Sequence, residues 1–391
     1  MMTNKNALII VQNLSIPTDR RVWREGLYLK KHGFSVFIIS PTGKKDDRKY
    51  YEDLEGIKII RFPLISDIGG KYYYFVEYLW SFIAIFFLFL CICPTVQYVQ
   101  VCNPPDIFFP IGWICRLFNK KFIYDHHDSS PILYLHKYGI EDRNGILYKL
   151  LHLCEGFTVQ IANSIISTNQ VLKEILESEH TVNVDKIYIS RNLPDPETFK
   201  RVEPNPVLKH GKEHLMTYHG IMGEVDDVEI IVLATNELIK QQINNFHVTI
   251  IGDGQTKKQC EELVYKLNLQ DYIDFTGMLP TNKLIKYLST ASIGLMPDKK
   301  NLLNDISSKN KTVEYMSLGL PFVAFDLKET MDTAWNAALY ATNNNYKDFA
   351  EKIATLLKNQ ALRESLKYNA VERMKHYRYE DQMGNYLKAF K

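Results

Sequence analysis

Short apolar runs alternate with amphipathic stretches along the whole chain. NALIIVQN reads as a first strand, TDRRVWREGLYLKKHG carries apolar residues at helical spacing with Gly33 as its stop, and FSVFIIS resumes the strand pattern. IKIIRFP, TVQYVQV, KFIYD and SIISTN continue it. Strands separated by helices predict a parallel, doubly wound α/β sheet. The pattern breaks at RNLPDPETFKRVEPNPVLKHGK, where four prolines fall among polar residues. It resumes with HLMTYHG, FHVTIIGDG, DYIDFTG, ASIGLMP and LPFVAFD, around helical stretches such as DVEIIVLATNELIKQQ and QTKKQCEELVYKLNL. Two facing Rossmann-like domains are expected, with ligands bound in an interdomain cleft at the carboxyl ends of the strands. The boundaries read as residues 1–195 for the first domain, 196–212 for a linker, 213–372 for the second domain, and 373–391 for a last helix that joins the second core or crosses back to the first.

One segment departs from this pattern. YLWSFIAIFFLFLCIC carries no charge from Tyr78 to Cys93, and Pro94 ends it. Its length is about 24 Å of helix, short for a hydrocarbon core of roughly 30 Å. A full span also conflicts with topology, because the flanking strands belong to one sheet. Two readings stand side by side: a buried core helix, or a helix lying in a membrane interface, where Trp80 and the tyrosines before it would sit well. The second reading makes a lipid substrate conceivable.

Composition narrows the partners. The chain has 391 residues, and 47 basic residues nearly cancel 45 acidic ones, so no global field draws in nucleic acid. Cys91, Cys93, Cys102, Cys115, Cys154 and Cys260 have no metal-ligand spacing and read as reduced structural thiols. The amino terminus has no basic leader, so a cytoplasmic location is expected, at the cytoplasmic face of the membrane if residues 78–93 contact lipid.

Candidate chemistry gathers at four places. KFIYDHHD ends a strand with Asp125, His126, His127 and Asp128. Adjacent strand residues point to opposite faces, so one histidine at most reaches a ligand, and a neighbouring carboxylate can fix its tautomer. Gly252, Asp253 and Gly254 end another strand before a helix, where glycines permit close backbone approach to a nucleotide. NLLNDISSKNKTVEYMSLG offers Ser307 or Ser308 as helix caps, and Lys309 and Lys311 beside that helix start suit a diphosphate. Glu314 can accept two hydrogen bonds from a ribose diol, and Asp305 can do the same for a sugar. After the first strand, Asp19 and Arg21 sit in a basic stretch that faces either acceptor phosphate or water. Two loops, SDIGGKYYYF and the stretch over residues 128–145 that ends in ILYLHKYGIEDRNG, are expected to shape the specific pockets.

Taken in order, PTDRRVWREG, NPPD, KFIYDHHD, RNLPD, YHGIMG, GDG, DFTG and LNDISSKNKTVEYMSLGLPFVAFD cover nearly the whole chain. The chain resembles the bacterial family 4 glycosyltransferases of the two-Rossmann-domain GT-B fold. That resemblance implies metal-independent transfer of a sugar from a nucleotide diphosphate donor, with retention, onto a growing cell-surface glycan or lipid-linked saccharide. It implies no cofactor beyond the donor; peripheral contact with the inner membrane is expected from the apolar segment 78–93. It also implies that His127 meets the donor sugar near the reacting centre, that Glu314 holds the ribose, and that Gly252 to Gly254 lie close to the nucleotide. Two departures stand out. Ile306 occupies the position eight before Glu314 where many relatives have a glutamate, leaving Asp305 as a substitute. Asp226 and Asp227 stand near where relatives carry a lysine, so Lys309 or Lys311 would supply that charge. A nucleotide-sugar-binding subunit without turnover, or a same-fold epimerase, are the alternative readings.

Overall fold

The computed structural model describes residues 5–43, 49–64, 73–140, 142–342 and 344–391. The chain divides into two compact units, Met1–Asn192 with Glu380–Lys391, and Leu193–Tyr379.

The first unit runs β1 (Lys5–Ile10), α1 (Arg20–Lys31), β2 (Phe34–Pro41), β3 (Tyr51–Leu54), β4 (Ile57–Phe62), α2 (Tyr73–Ile92), β5 (Tyr98–Cys102), α3 (Phe109–Leu117), β6 (Lys121–His126), α4 (Ser130–Tyr138), α5 (Ile146–Ile161), β7 (Ser164–Ser167), α6 (Gln170–Glu179) and β8 (Ile187–Ile189). Its sheet has the order β3-β4-β2-β1-β5-β6-β7-β8. All neighbours pair in parallel except the edge strand β3, which lies antiparallel to β4 and so departs from the purely parallel expectation. β1 and β6 carry the buried apolar runs ALII and FIY because helices cover the sheet. Ile85 and Phe89 of α2, Ile111 and Cys115 of α3, and Val159 and Ile161 of α5 share one core with Leu8, Val101 and Phe122 of the strands.

The second unit runs β9 (His214–Ile221), α7 (Glu229–Lys240), β10 (Phe246–Asp253), α8 (Lys257–Lys266), β11 (Ile273–Phe275), α9 (Thr281–Thr290), β12 (Ile293–Met296), α10 (Asn310–Ser317), β13 (Phe322–Phe325), α11 (Lys328–Ala334), β14 (Ala338–Ala341), α12 (Tyr346–Lys358) and α13 (Gln360–Met374). Its parallel sheet has the order β11-β10-β9-β12-β13-β14. Residues 196–212 pack on this unit. Phe199 enters its core, and Arg201 donates to the Leu318 carbonyl at 2.6 Å and the Ser289 carbonyl at 3.1 Å.

The final helix α14 (Tyr379–Lys388) lies almost wholly in the first unit. There Asn385 Nδ2 donates to the Ile189 carbonyl at 3.1 Å, and Tyr386 Oη donates to Gln100 Oε1 at 2.6 Å. The stretch over residues 128–145, expected as a loop, contains α4, whose C-cap Gly139 adopts φ +59° as helix stops favour. Most of SDIGGKYYYF lies outside the described residues. α2 is a single helix closed by the turn Cys93–Thr95. It is part core and part surface: only 22% of its most apolar stretch is buried.

Candidate functional site

In the first unit a charge cluster forms at the carboxyl end of β6. Asp125 is fully buried, and Arg21 and His127 take one oxygen each. Arg21 Nη2 donates to Asp125 Oδ1 at 3.1 Å, and His127 Nε2 lies 2.9 Å from Asp125 Oδ2. Gln100 Nε2 donates to the same Oδ2 at 2.8 Å and to Glu25 Oε2 at 3.0 Å. Arg21 Nε closes the ring at 3.0 Å from Glu25 Oε1, one helical turn further along α1. Asp19 supplies the N-cap of that helix, its Oδ1 accepting from the backbone of Arg21 and Val22 at 3.1 Å each. Asp19 thus fixes the helix start that aims Arg21 inward.

The electrostatics follow from burial. Desolvation opposes the charged form of Asp125, but His127 and Arg21 outweigh it and hold the carboxyl well below its usual range. Desolvation opposes protonation of His127 too, and Asp125 overcomes it, raising the imidazole above its ordinary value. Glu25 is pushed up to about 7 by burial and by Asp125. His126 takes the opposite face of β6, with Nε2 3.2 Å from Glu155 Oε1, while His180 Nε2 holds Glu155 Oε2 at 3.0 Å. One histidine of the pair therefore belongs to the core, and His127 keeps its side chain 16% exposed. The backbone N–H of His127 donates to Asn103 Oδ1 at 2.6 Å, which fixes the strand end.

Cys102, Asp125 and His127 also place three potential metal donors within 4.8 Å of one another. They suit a divalent cation poorly. Arg21 already occupies one oxygen of the carboxylate, and burial pushes the Cys102 thiol well above its ordinary value, against the thiolate a metal needs. His210, His247 and Asp274 form a similar group in the second unit, where His247 Nε2 lies 2.8 Å from Asp274 Oδ1.

In the second unit the end of β9 and the segment just after β12 meet the start of α10. Lys309 occupies the N-cap position with no side-chain cap bond, which corrects the expectation for Ser307 or Ser308. Ser307 Oγ instead donates to the Leu303 carbonyl at 2.8 Å, and Ser308 Oγ reaches Glu329 Oε1 at 3.5 Å. Lys309 and Lys311 converge on Asp298, which is 1% exposed, with Nζ atoms 3.1 and 3.5 Å from its Oδ1. Burial opposes the charge on Asp298, and Lys311 and Lys309 overcome that and lower its pKa. Lys309 also donates to Asn304 Oδ1 at 2.8 Å. Lys311 lies 3.5 Å from Asp226 Oδ1 and 4.6 Å above the Tyr218 ring. Asp226 therefore partners a lysine, and Asp227 is likewise matched by Lys299 at 3.1 Å.

Glu314, one turn beyond Lys311, sits 3.1 Å from His219 Nε2 through its Oε2. His219 is buried, and desolvation followed by repulsion from Lys311 drives its pKa down to about 3, so it stays neutral beside the carboxylate. Asp305 is turned toward α11: its Oδ1 accepts from the Lys328 backbone N–H at 2.7 Å. Ile306, in the adjoining position, is buried. The glycines around Asp253 have a reason within the fold. A Cβ on Gly252 would overlap the Gly220 carbonyl oxygen, and one on Gly254 would fall 2.5 Å from that of Met222. Asp253 Oδ1 accepts from Gly254 N–H at 2.9 Å at the exposed tip.

Sequence reasoning did not single out Glu25, Gln100, Tyr386, His219 or Asp298. Only Glu25 carried a local signal, four residues after Arg21 on one helix face.

Comparison with known proteins agrees with this architecture. Residues 199–373 match the glycosyl transferases group 1 family. An uncharacterised glycosyltransferase of Methanocaldococcus jannaschii is 24% identical over 237 residues, covering 57% of this chain and 64% of the relative. The alpha-monoglucosyldiacylglycerol synthase of Streptococcus pneumoniae is 23% identical over 279 residues, covering 67% of this chain and 58% of the relative. The chain thus spans less than two thirds of either relative's length. Among solved structures, sucrose-phosphate synthase of Thermosynechococcus elongatus superposes with a TM-score of 0.78 at 16% identity, over 99% of this chain and 98% of that one. The Anabaena protein HepE in complex with UDP gives 0.72 at 11% identity, over 99% of both chains. The fold is that of the GT-B structures with two Rossmann-like domains, and residues 199–373 match the glycosyl transferases group 1 family.

Proposed function

We propose that this chain is a retaining glycosyltransferase that moves a sugar from a nucleoside diphosphate donor to a glycan or lipid-linked saccharide at the cytoplasmic face of a membrane, without a metal ion. The observation that carries the reading is the group 1 match over residues 199–373, which contain the Lys311 and Glu314 cluster. On this reading Glu314, steadied by His219, accepts hydrogen bonds from the donor ribose. Lys309 and Lys311 face the diphosphate together with the backbone at Gly252 to Gly254, while Ser308 and Asp305 border the sugar side. His127, protonated against Asp125, donates to an oxygen that gains negative charge as the glycosidic bond breaks. Arg21 and Asp19 set that histidine's surroundings on the acceptor side. The relative named for a glucosyl-diacylglycerol product and the largely exposed apolar α2 both favour a lipid acceptor.

A second reading, a nucleotide-sugar-binding subunit without turnover, draws on the buried Ile306 and on lysines already matched by Asp298 and Asp226. Nucleotide release from a panel of UDP- and GDP-sugars, with and without a lipid-linked glycan fraction, separates the two. Release that requires acceptor, gives a product of unchanged anomeric configuration by NMR, and falls about 100-fold in His127→Ala supports transfer. Tight nucleotide binding with no release supports the second reading.

A further inference from the structure

We propose that the outer side of α2, α3 and α5 in the first unit is a docking face for a bilayer containing anionic phospholipid. The proposal extends the membrane-side reading of α2 to two further helices and to a headgroup-sized hollow beside them.

The inner rows of the three helices fill one core, so their outer rows should be polar in a protein surrounded by water. They are not. On α2, Leu79, Ile83, Phe87 and Leu90 are 49%, 54%, 66% and 45% exposed, at helical spacing along one side. On α5, Ile146, Leu150, Leu153 and Phe157 repeat that spacing and are also exposed. α3 lies between them with Trp113 and Leu117 outward. Ring contacts make the layer continuous: Phe82 of α2 stacks with Phe108 at 6.1 Å, and Trp113 of α3 meets Phe157 of α5 at 6.4 Å. An apolar face of this extent marks a binding surface.

The charges around it select the occupant. No aspartate or glutamate occurs between residues 107 and 124 or between 143 and 154, whereas Arg116, Lys120, Arg143 and Lys149 do. Beside α5 a hollow of about 510 Å³ is lined by Arg143, Lys149, His152, Tyr148, Leu153 and Glu179. Glu179 lies 3.4 Å from Arg143 and 3.7 Å from His152, while Lys149 has no ion-pair partner among the described residues. A second copy docked through the same face would bring like charges together, because a two-fold interface sets each patch against itself. Anionic headgroups above an acyl layer satisfy both the cations and the apolar rows.

The test is co-sedimentation of the full chain with vesicles of phosphatidylcholine alone and of phosphatidylcholine with phosphatidylglycerol. Strong binding to the phosphatidylglycerol vesicles is expected. Leu150→Glu and Ile83→Glu should abolish it, and the double variant Arg143→Ala with Lys149→Ala should weaken it about 30-fold and remove the lipid preference. Circular dichroism and nucleotide binding, both unchanged, establish that the variants fold. Absence of binding to either vesicle, or variants that bind as the parent does, overturns the proposal. A dimer in sedimentation equilibrium that Leu150→Glu dissociates, without vesicle binding, assigns the face to a second copy instead. Vesicle binding is read without any sugar substrate, so it stands or falls separately from the transferase reading.

Discussion

At Asp125 one buried carboxylate holds a guanidinium on one oxygen and an imidazole and an amide on the other. Removing it would leave Arg21 and His127 facing each other without their shared counter-charge. Asp125→Asn is therefore expected to cost about 3 kcal/mol of stability in the first unit by denaturant unfolding. It should also invert the His127 shift. In the parent the imidazole titrates above its ordinary value of about 6.5, and in the variant, with burial and Arg21 still acting, below it. The ring-proton NMR titration reads this directly, and an unchanged midpoint would show that Asp125 does not govern the site. The pH dependence of stability has a definite sign. The raised His127 contributes fully below its unfolded pKa and loses that contribution as pH rises through its folded one. Glu25, pushed up to about 7, adds in the same direction. The lowered Asp125 contributes above about 3.9 and loses that contribution as pH falls through its own depressed value. The cluster is thus most stabilising in mildly acidic solution. His127 and Asp125 were legible because they stand together at a strand end. Gln100 and Tyr386 were not, because an amide in a strand and a tyrosine near the chain end show no sign of a partner 286 residues apart.

Among the elements, long apolar runs were legible, and of the four edge strands only β11, within DYIDFTG, was. β3 is YEDL, with half its residues charged, β8 is only IYI, and β14 is ALYA; each lies at a sheet edge, where neither length nor alternation marks a strand. The start of α10 was misplaced because serines are good caps in general, whereas here Ser307 and Ser308 are drawn back to Leu303 and across to Glu329. Glycines separate in the same way. The would-be Cβ of Gly252 meets backbone, the Gly220 carbonyl, and backbone in a paired strand has nowhere to move. Gly252→Ala should cost about 3 kcal/mol or more in the second unit. Gly384, inside α14 with nothing within 4 Å, has no such neighbour, and Gly384→Ala should stabilise the first unit by about 0.5–1 kcal/mol. Denaturation midpoints of the two variants, moving in opposite directions, test whether packing or helix propensity decides at each site.

At the scale of the whole molecule the chain leaves the first unit at Asn192, builds the second, and returns for its last twelve residues. That return is held by polar and aromatic contacts within the first unit: Asn385 on the Ile189 carbonyl, Gln382 Oε1 on the Arg191 N–H at 2.9 Å, and Phe390 against Phe34 and Tyr98 with ring centroids 5.7 and 5.9 Å apart. Tyr386 carries the connection to the site, since its hydroxyl fixes the Gln100 carbonyl and thereby turns the Gln100 amide toward Asp125 and Glu25. Truncation after Tyr379 should consequently lower the melting transition of the first unit and leave that of the second where it was, two transitions that calorimetry resolves. Tyr386→Phe keeps the packing and removes only the hydroxyl. It leaves a buried acceptor unmet at about 1–2 kcal/mol, again in the first unit alone. If turnover falls in Tyr386→Phe while nucleotide affinity holds, the chain end acts through the Gln100 and Asp125 relay on His127; if both hold, the returning helix serves stability and the relay ends at Gln100.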